Sequence, residues 1–127
     1  MPIERNKTAV RRLNEEVFGK GNLAILPELF APHYVLHWKD GELKGPEGFK
    51  QYYLSTKAVF PDYWEKIEKM VGEGEMLATF YTVGGTFAGP SDGKKVTGKK
   101  YNVSYMVLTR FENGKQCEAW TYGDNLV

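Results

Sequence analysis

The sequence predicts an α+β domain, with helices in the first half lying on one face of a curved, mainly antiparallel sheet built by the second half. Three observations carry this reading. Apolar residues recur at helical spacing as far as Phe60, period-two alternation takes over beyond it, and Asn113-Gly114 stands between two alternating runs as a hairpin turn. At 127 residues, the chain is the size of a single domain, residues 1–127, with enough length to bury a real core.

From Pro2 to Phe18 the apolar positions Val10, Leu13 and Val17 recur at helical spacing, with Ala9 and Phe18 widening the stripe. Gly19-Lys20-Gly21 ends that helix, and Asn22 stands as cap for a short one running into Leu29-Phe30. Pro27 falls where a first turn tolerates it, and Pro32 stops the element. A short strand, Tyr34 to Trp38, precedes the polar loop KDGELKGPEG. A third helix opens at Pro46 and runs to Phe60, with Phe49, Tyr52, Tyr53, Thr56 and Phe60 on one stripe and Pro61-Asp62 closing it.

Beyond this point the chain reads as strands. Trp64 to Val71 is assigned as one, although Trp64, Ile67 and Val71 also fit a helical period. Glu75 to Thr86 alternates, with Leu77, Thr79, Tyr81 and Val83 on one face and Met76, Ala78, Phe80 and Thr82 on the other. The stretch from Gly84 to Gly98, with GG, AGP and SDG, reads as an exposed loop or a bulged strand end. Lys99 to Phe111 and Lys115 to Gly123 form the closing hairpin. The chain contains no internal repeat and no low-complexity linker.

Hydrophobic residues make up 42% and charged residues 26% of a chain whose net charge is +1, which gives no electrostatic reason to expect nucleic acid or an anionic membrane as partner. The pairs Arg11-Arg12, Lys94-Lys95 and Lys99-Lys100 read as solvated faces. A lone cysteine, Cys117, excludes an internal disulfide and a cysteine-rich metal site, and fits a cytoplasmic protein. The N-terminus lacks the apolar stretch of a signal peptide, and no apolar run approaches the ~20 residues of a membrane span. Eight tyrosines and three tryptophans suit an apolar cavity with polar tips.

An unshifted two-residue turn at Asn113-Gly114 pairs Glu112 with Lys115. It then sets Val107 opposite Trp120, Tyr105 opposite Tyr122, and Val103 opposite Asp124. One face would hold Tyr101, Val103, Tyr105 and Val107 with Trp120, Tyr122 and Asp124, a strongly aromatic surface with one carboxylate in it. The other would hold Asn102, Ser104, Met106, Leu108, Cys117, Ala119 and Thr121. A single bulge would exchange the faces of one strand. At this point Asp124 is either a frayed strand end in water or a carboxylate facing a pocket.

His33 reads as exposed, whereas His37 has the parity of Val35 and points inward if Val35 does. An imidazole titrates near neutrality, so beside a carboxylate in a cavity it is an acid/base or hydrogen-bonding candidate. No HExxH, CxxC, GxGxxG, P-loop or GxSxG pattern occurs, and GEGEM at Gly72 reads as a turn. Cys117 lacks an evident activating neighbour and reads as a structural thiol. Elimination leaves proton transfer by a carboxylate, aided by His37 or tyrosine hydroxyls, with no metal required.

The stretches NEEVFGKGNLAILPELFAPHYVLH, GPEGFKQYYLSTKAVFPD, VTGKKYNVSYMVLTRFENGK and EAWTYGD, in that order and over nearly the whole chain, resemble the SnoaL-like polyketide cyclase branch of the NTF2-like superfamily. The resemblance implies a cone-shaped α+β barrel, three N-terminal helices closing the concave side of the sheet around a pocket. It also implies a homodimer, and cofactor-free acid/base catalysis by a pocket aspartate. The W-x-x-x-D pattern of such proteins falls on Trp120 and Asp124, and their strand histidine falls on His37 in YVLH. The expected enzyme acts on a small, largely apolar carbonyl compound, in the manner of a polyketide cyclase or isomerase. Asp124 would move the proton, His37 and Tyr105 would stabilise an enolate oxygen, and Trp120, Tyr101, Tyr53 and Phe49 would form the walls. The alternative is a non-catalytic ligand-binding or dimerisation module on the same scaffold.

Overall fold

The computed structural model describes residues 2–39 and 41–123. Helix α1, Pro2–Arg12, carries Glu4 in its first turn and Arg11 and Arg12 in its last, in keeping with the helix dipole. It continues without a break into a π-helical segment, Leu13–Phe18. In an α-helix, residues five apart lie ~140° from each other. The wider π turn brings such residues back onto one face, so Leu13 and Phe18 both reach the interior. Gly21 closes the element at φ 71°, and the N–H groups of Gly21 and Asn22 donate to the Val17 and Glu16 carbonyls at 2.8 and 2.9 Å, satisfying the helix end.

A short 3-10 turn, Leu23–Ile25, leads into α2, Leu26–Leu29, with Pro27 in its first turn as expected; the Asn22 side chain makes no capping bond. Strand β1, Phe30–Trp38, begins earlier than the sequence suggests and passes through Pro32. Its ladder to the last strand shifts register between Phe30 and Val35, which is where a residue without an N–H can be accommodated. Strand β2, Gly41–Lys44, lies within the stretch read as a polar loop. Helix α3, Gly45–Val59, packs on β1 and β2 with Phe49, Tyr53 and Thr56 buried, on the predicted stripe.

The remaining strands are β3, Trp64–Glu73, β4, Met76–Thr86, β5, Lys100–Glu112, and β6, Lys115–Gly123. The sheet runs β2-β1-β6-β5-β4-β3, with every pairing antiparallel except β1 with β6. Between β4 and β5 the turn-rich loop folds back, the Phe87 N–H donating to the Lys99 carbonyl at 3.0 Å, while the Phe87 ring is buried.

The three helices cover one face of this sheet, and two apolar clusters fill the space. One gathers Leu26, Phe30, Tyr34, Leu36 and Phe49; the other gathers Val10, Phe60, Tyr63, Leu77 and Phe111. Phe18 joins them, with ring centroids 6.0 Å from Phe49, 5.5 Å from Tyr53 and 5.7 Å from Tyr63.

The hairpin corrects the expected register. Asn113 and Gly114 have φ of 51° and 82°, as a type I′ turn requires, and Glu112 faces Lys115 and Phe111 faces Gln116 as anticipated. The ladder then shifts, and Arg110 faces Glu118. Cys117 is the extra residue, its Sγ donating to the Arg110 carbonyl at 3.3 Å. One inserted residue reverses the parity of everything after it. Ala119 and Thr121 therefore share the inner face with Thr109 and Val107, whereas Glu118, Trp120 and Tyr122 join Arg110, Leu108 and Met106 on the outer one.

Candidate functional site

Between the helices and the inner face lies a cavity of about 40 Å³. Val10, Leu13 and Phe18 wall it from the first helix, Phe49 and Tyr52 from α3, and Tyr34 and Leu36 from β1. The sheet adds Glu65, Tyr81, Tyr105, Val107, Thr109, Gln116 and Thr121. Since one water needs ~10–15 Å³ measured this way, the space holds about three. A ligand of even ten heavy atoms has to part the walls, chiefly the aromatic side chains.

Among the described residues, the only carboxylate in this lining belongs to Glu65, near the start of β3. Its neighbour across the ladder is Val83, whose inward parity it shares. The Tyr63 hydroxyl donates to Glu65 Oε2 at 2.7 Å and the Tyr105 hydroxyl to the same oxygen at 3.2 Å. No donor among the described residues reaches Oε1, the oxygen left for a bound molecule. Burial pushes this carboxyl up to about 7, against the two tyrosine hydrogen bonds, which pull it down. A carboxyl half-ionised near neutrality can both take and return a proton at a carbon next to a carbonyl.

Tyrosines surround it. Burial first, and the Glu65 charge second, push the hydroxyls of Tyr52, Tyr63, Tyr81 and Tyr105 above their ordinary range. They therefore stay protonated and available as donors. The Tyr81 and Tyr105 rings stack at 5.4 Å, fixing one wall. Among the described residues, no group of three or more His, Cys, Asp or Glu side chains is placed to hold a metal ion, and no helix is long and apolar enough to cross a membrane.

Of the residues singled out from sequence, Phe49 and Tyr105 line the cavity. Tyr53 is buried beside it, edge-on to Phe18. Tyr101 lies elsewhere, its hydroxyl accepting the Val96 N–H at 2.8 Å, next to a surface hollow with Asp62 and Trp64. Asp124 lies outside the described residues. His37 and Trp120, expected to face the pocket, lie together on the outer face, their rings stacked at 5.4 Å and 14°. His37 Nε2 is 2.7 Å from Glu118 and Nδ1 is 3.1 Å from Glu42. Tyr34 and Leu36 are the inward residues of β1, so Val35 and His37 face away. Hydrogen bonding from His37, then from Arg110, holds the Glu118 carboxyl below the usual carboxylate range.

Glu65 was missed although its segment was assigned as a strand, because the competing helical period of Trp64, Ile67 and Val71 left no inner face drawn for it. Read as a strand, the pattern contains the signal: Glu65 shares parity with Ile67, so a carboxylate sits in the inward row.

A model of the SnoaL-like polyketide cyclase family matches residues 8–127. Among solved structures, IdmH from Streptomyces antibioticus, a proposed polyketide cyclase, is 27% identical with a TM-score of 0.80, over 95% of this chain and 93% of its own. A proposed SnoaL-like polyketide cyclase from Jannaschia sp. CCS1 is 22% identical with a TM-score of 0.81, over 96% of this chain and 88% of its own. A proposed polyketide cyclase from Acidithiobacillus ferrooxidans is 23% identical with a TM-score of 0.79, over 96% of this chain and 89% of its own. At such identities the last two speak for the NTF2-like cone alone. A search of curated proteins gave no match.

Proposed function

The chain belongs to the SnoaL-like polyketide cyclase family, and from that premise we propose that it is an enzyme of cofactor-independent acid/base chemistry on a small, largely apolar carbonyl compound, of cyclase or isomerase type. The observation that carries the reading is Glu65, a carboxyl raised to about 7 in an aromatic cavity and held by two tyrosine hydroxyls.

In the proposed step, Glu65 Oε1 takes a proton from the carbon next to the carbonyl, and the electron pair of that C–H bond moves to the carbonyl oxygen. A tyrosine hydroxyl of the lining stabilises the enolate. The enolate then either takes the proton back from Glu65 at a carbon conjugated with it, which shifts a double bond and is isomerisation, or attacks a second carbonyl of the same molecule through its α-carbon. In the second case the new alkoxide takes the proton from Glu65, and acid and base are regenerated.

The resemblance assigns the same role to Asp124, and the two carboxylates make separable claims. Exchange of α-hydrogens of small ketones in deuterated buffer, followed by NMR, is expected to be accelerated by the protein and to be lost in Glu65→Gln. An exchange rate unchanged in Glu65→Gln but abolished in Asp124→Asn would move the base to Asp124 and overturn the Glu65 assignment.

A homodimer through the outer face is the accompanying proposal. That face exposes Val71, Phe80 and Tyr122, beside Met106 and Leu108. A monomer by light scattering at micromolar concentration would count against it.

A further inference from the structure

Gln116 is the one carboxamide in the cavity lining among the described residues, on β6 just after the hairpin turn. It is 4% exposed, and its Nε2 is a buried donor with no hydrogen-bond partner among the described residues. An unpaired buried amide weakens a fold, and cores normally satisfy or exclude it. Its retention here among Val10, Leu13 and Thr109 points to a partner supplied by the bound molecule.

The register places Gln116 far from the proton carrier. Glu65 is reached by Tyr105, whereas Gln116 faces Phe111 across the β5 ladder. Tyr105, Val107 and Thr109 line the same cavity in succession, a run of about 13 Å along the strand. The cavity thus has a carboxyl with tyrosines at one end, an amide donor at the other, and Leu13, Phe18 and Val107 between.

We infer that Gln116 anchors the substrate, its amide N–H donating to an oxygen remote from the carbon that Glu65 deprotonates. The substrate class follows: a slender compound with an apolar body, an enolisable carbonyl at the Glu65 end and a second oxygen acceptor at the other. This rests on the proposed role of Glu65 for which end reacts, whereas the anchoring itself is a matter of binding.

Acetophenone and para-diacetylbenzene, which differ by one remote carbonyl, test it by titration calorimetry without turnover. The wild-type protein is expected to bind the diacetyl compound about tenfold more tightly, the return on one well-placed buried hydrogen bond. Gln116→Leu and Gln116→Met are expected to abolish the preference, and Glu65→Gln to keep it. Ligand-free Gln116→Leu is also expected to melt at a higher temperature than wild type, because an unpaired donor has been removed. Equal affinities in the wild type, a preference that survives in Gln116→Leu, binding of neither compound, or a lower melting temperature for both Gln116 variants would each overturn the inference. Loss of proton exchange in Glu65→Gln is a separate readout, so the reaction assignment can fall while the anchor stands.

Discussion

Replacing Glu65 by glutamine changes a titration as well as a reaction, and stability should report it. On folding, this carboxyl moves from the usual 4.5 to about 7. The native state therefore holds the proton more tightly than the unfolded chain. A group with a raised native pKa contributes most below its unfolded value, and the contribution is lost as pH rises through the native one. The window is thus 4.5 to about 7. At ~1.4 kcal/mol per tenfold change in proton affinity, the full linkage is about 3 kcal/mol. Between about pH 5 and about pH 8, some 2 kcal/mol of it is traversed. Glutamine stays neutral throughout, and its carbonyl still accepts from Tyr63. In urea titrations, the wild type should therefore lose about 2 kcal/mol more than Glu65→Gln over that interval, roughly 1 M in midpoint for a domain of this size. Other titrating groups cancel in the difference. Profiles that run parallel to within about 0.5 kcal/mol would refute the reasoning, because they would mean that the carboxyl ionises as freely in the fold as outside it.

Tyr105→Phe removes one of the two donors that pull the Glu65 carboxyl down, so the ascending limb of the pH–rate profile for proton exchange should shift to higher pH. His37→Ala should lower the melting temperature, since it unties Glu42 of β2 from β1 and Glu118 of β6. Because Glu118 is depressed by His37, its contribution is present above the unfolded carboxylate pKa and lost as pH falls, and a thermal scan series should show the two proteins converging in acid. Phe18→Ala should cost about 3–5 kcal/mol of unfolding free energy, measured in urea, since this ring joins both apolar clusters. Cys117, whose thiol burial pushes up, should resist iodoacetamide until the protein is unfolded, as mass spectrometry would show.

Much of the architecture was legible because long periodic segments announce themselves. The stripe Val10, Leu13, Val17, the stripe on α3, and the alternation of Leu77, Thr79, Tyr81 and Val83 all fall where periodicity places them. The short edge strand β2 was not legible, because four mostly polar residues cannot display a period. The aromatic lining was legible through Phe49 and Tyr105, whereas the carboxylate that the hairpin offered, Asp124, lies outside the described residues and Glu65 was not singled out. One inserted residue at Cys117 turned Trp120 outward, and no local pattern marks a bulge whose extra residue is apolar and buried. His37 followed Val35 outward for the same reason of parity. Phe49 and Tyr105 were found because their segments carry no irregularity between turn and site.

The π-helical segment Leu13–Phe18 carries one residue more than a regular helix would spend on the same span. Regularising this turn to the tighter α form with every residue kept would swing Phe18 about 140° from Leu13, away from Phe49, Tyr53 and Tyr63. Deleting Glu15 at the same time would leave the two residues four apart and back on one face. The wide turn therefore absorbs a surplus residue so that two halves of a core stay keyed together.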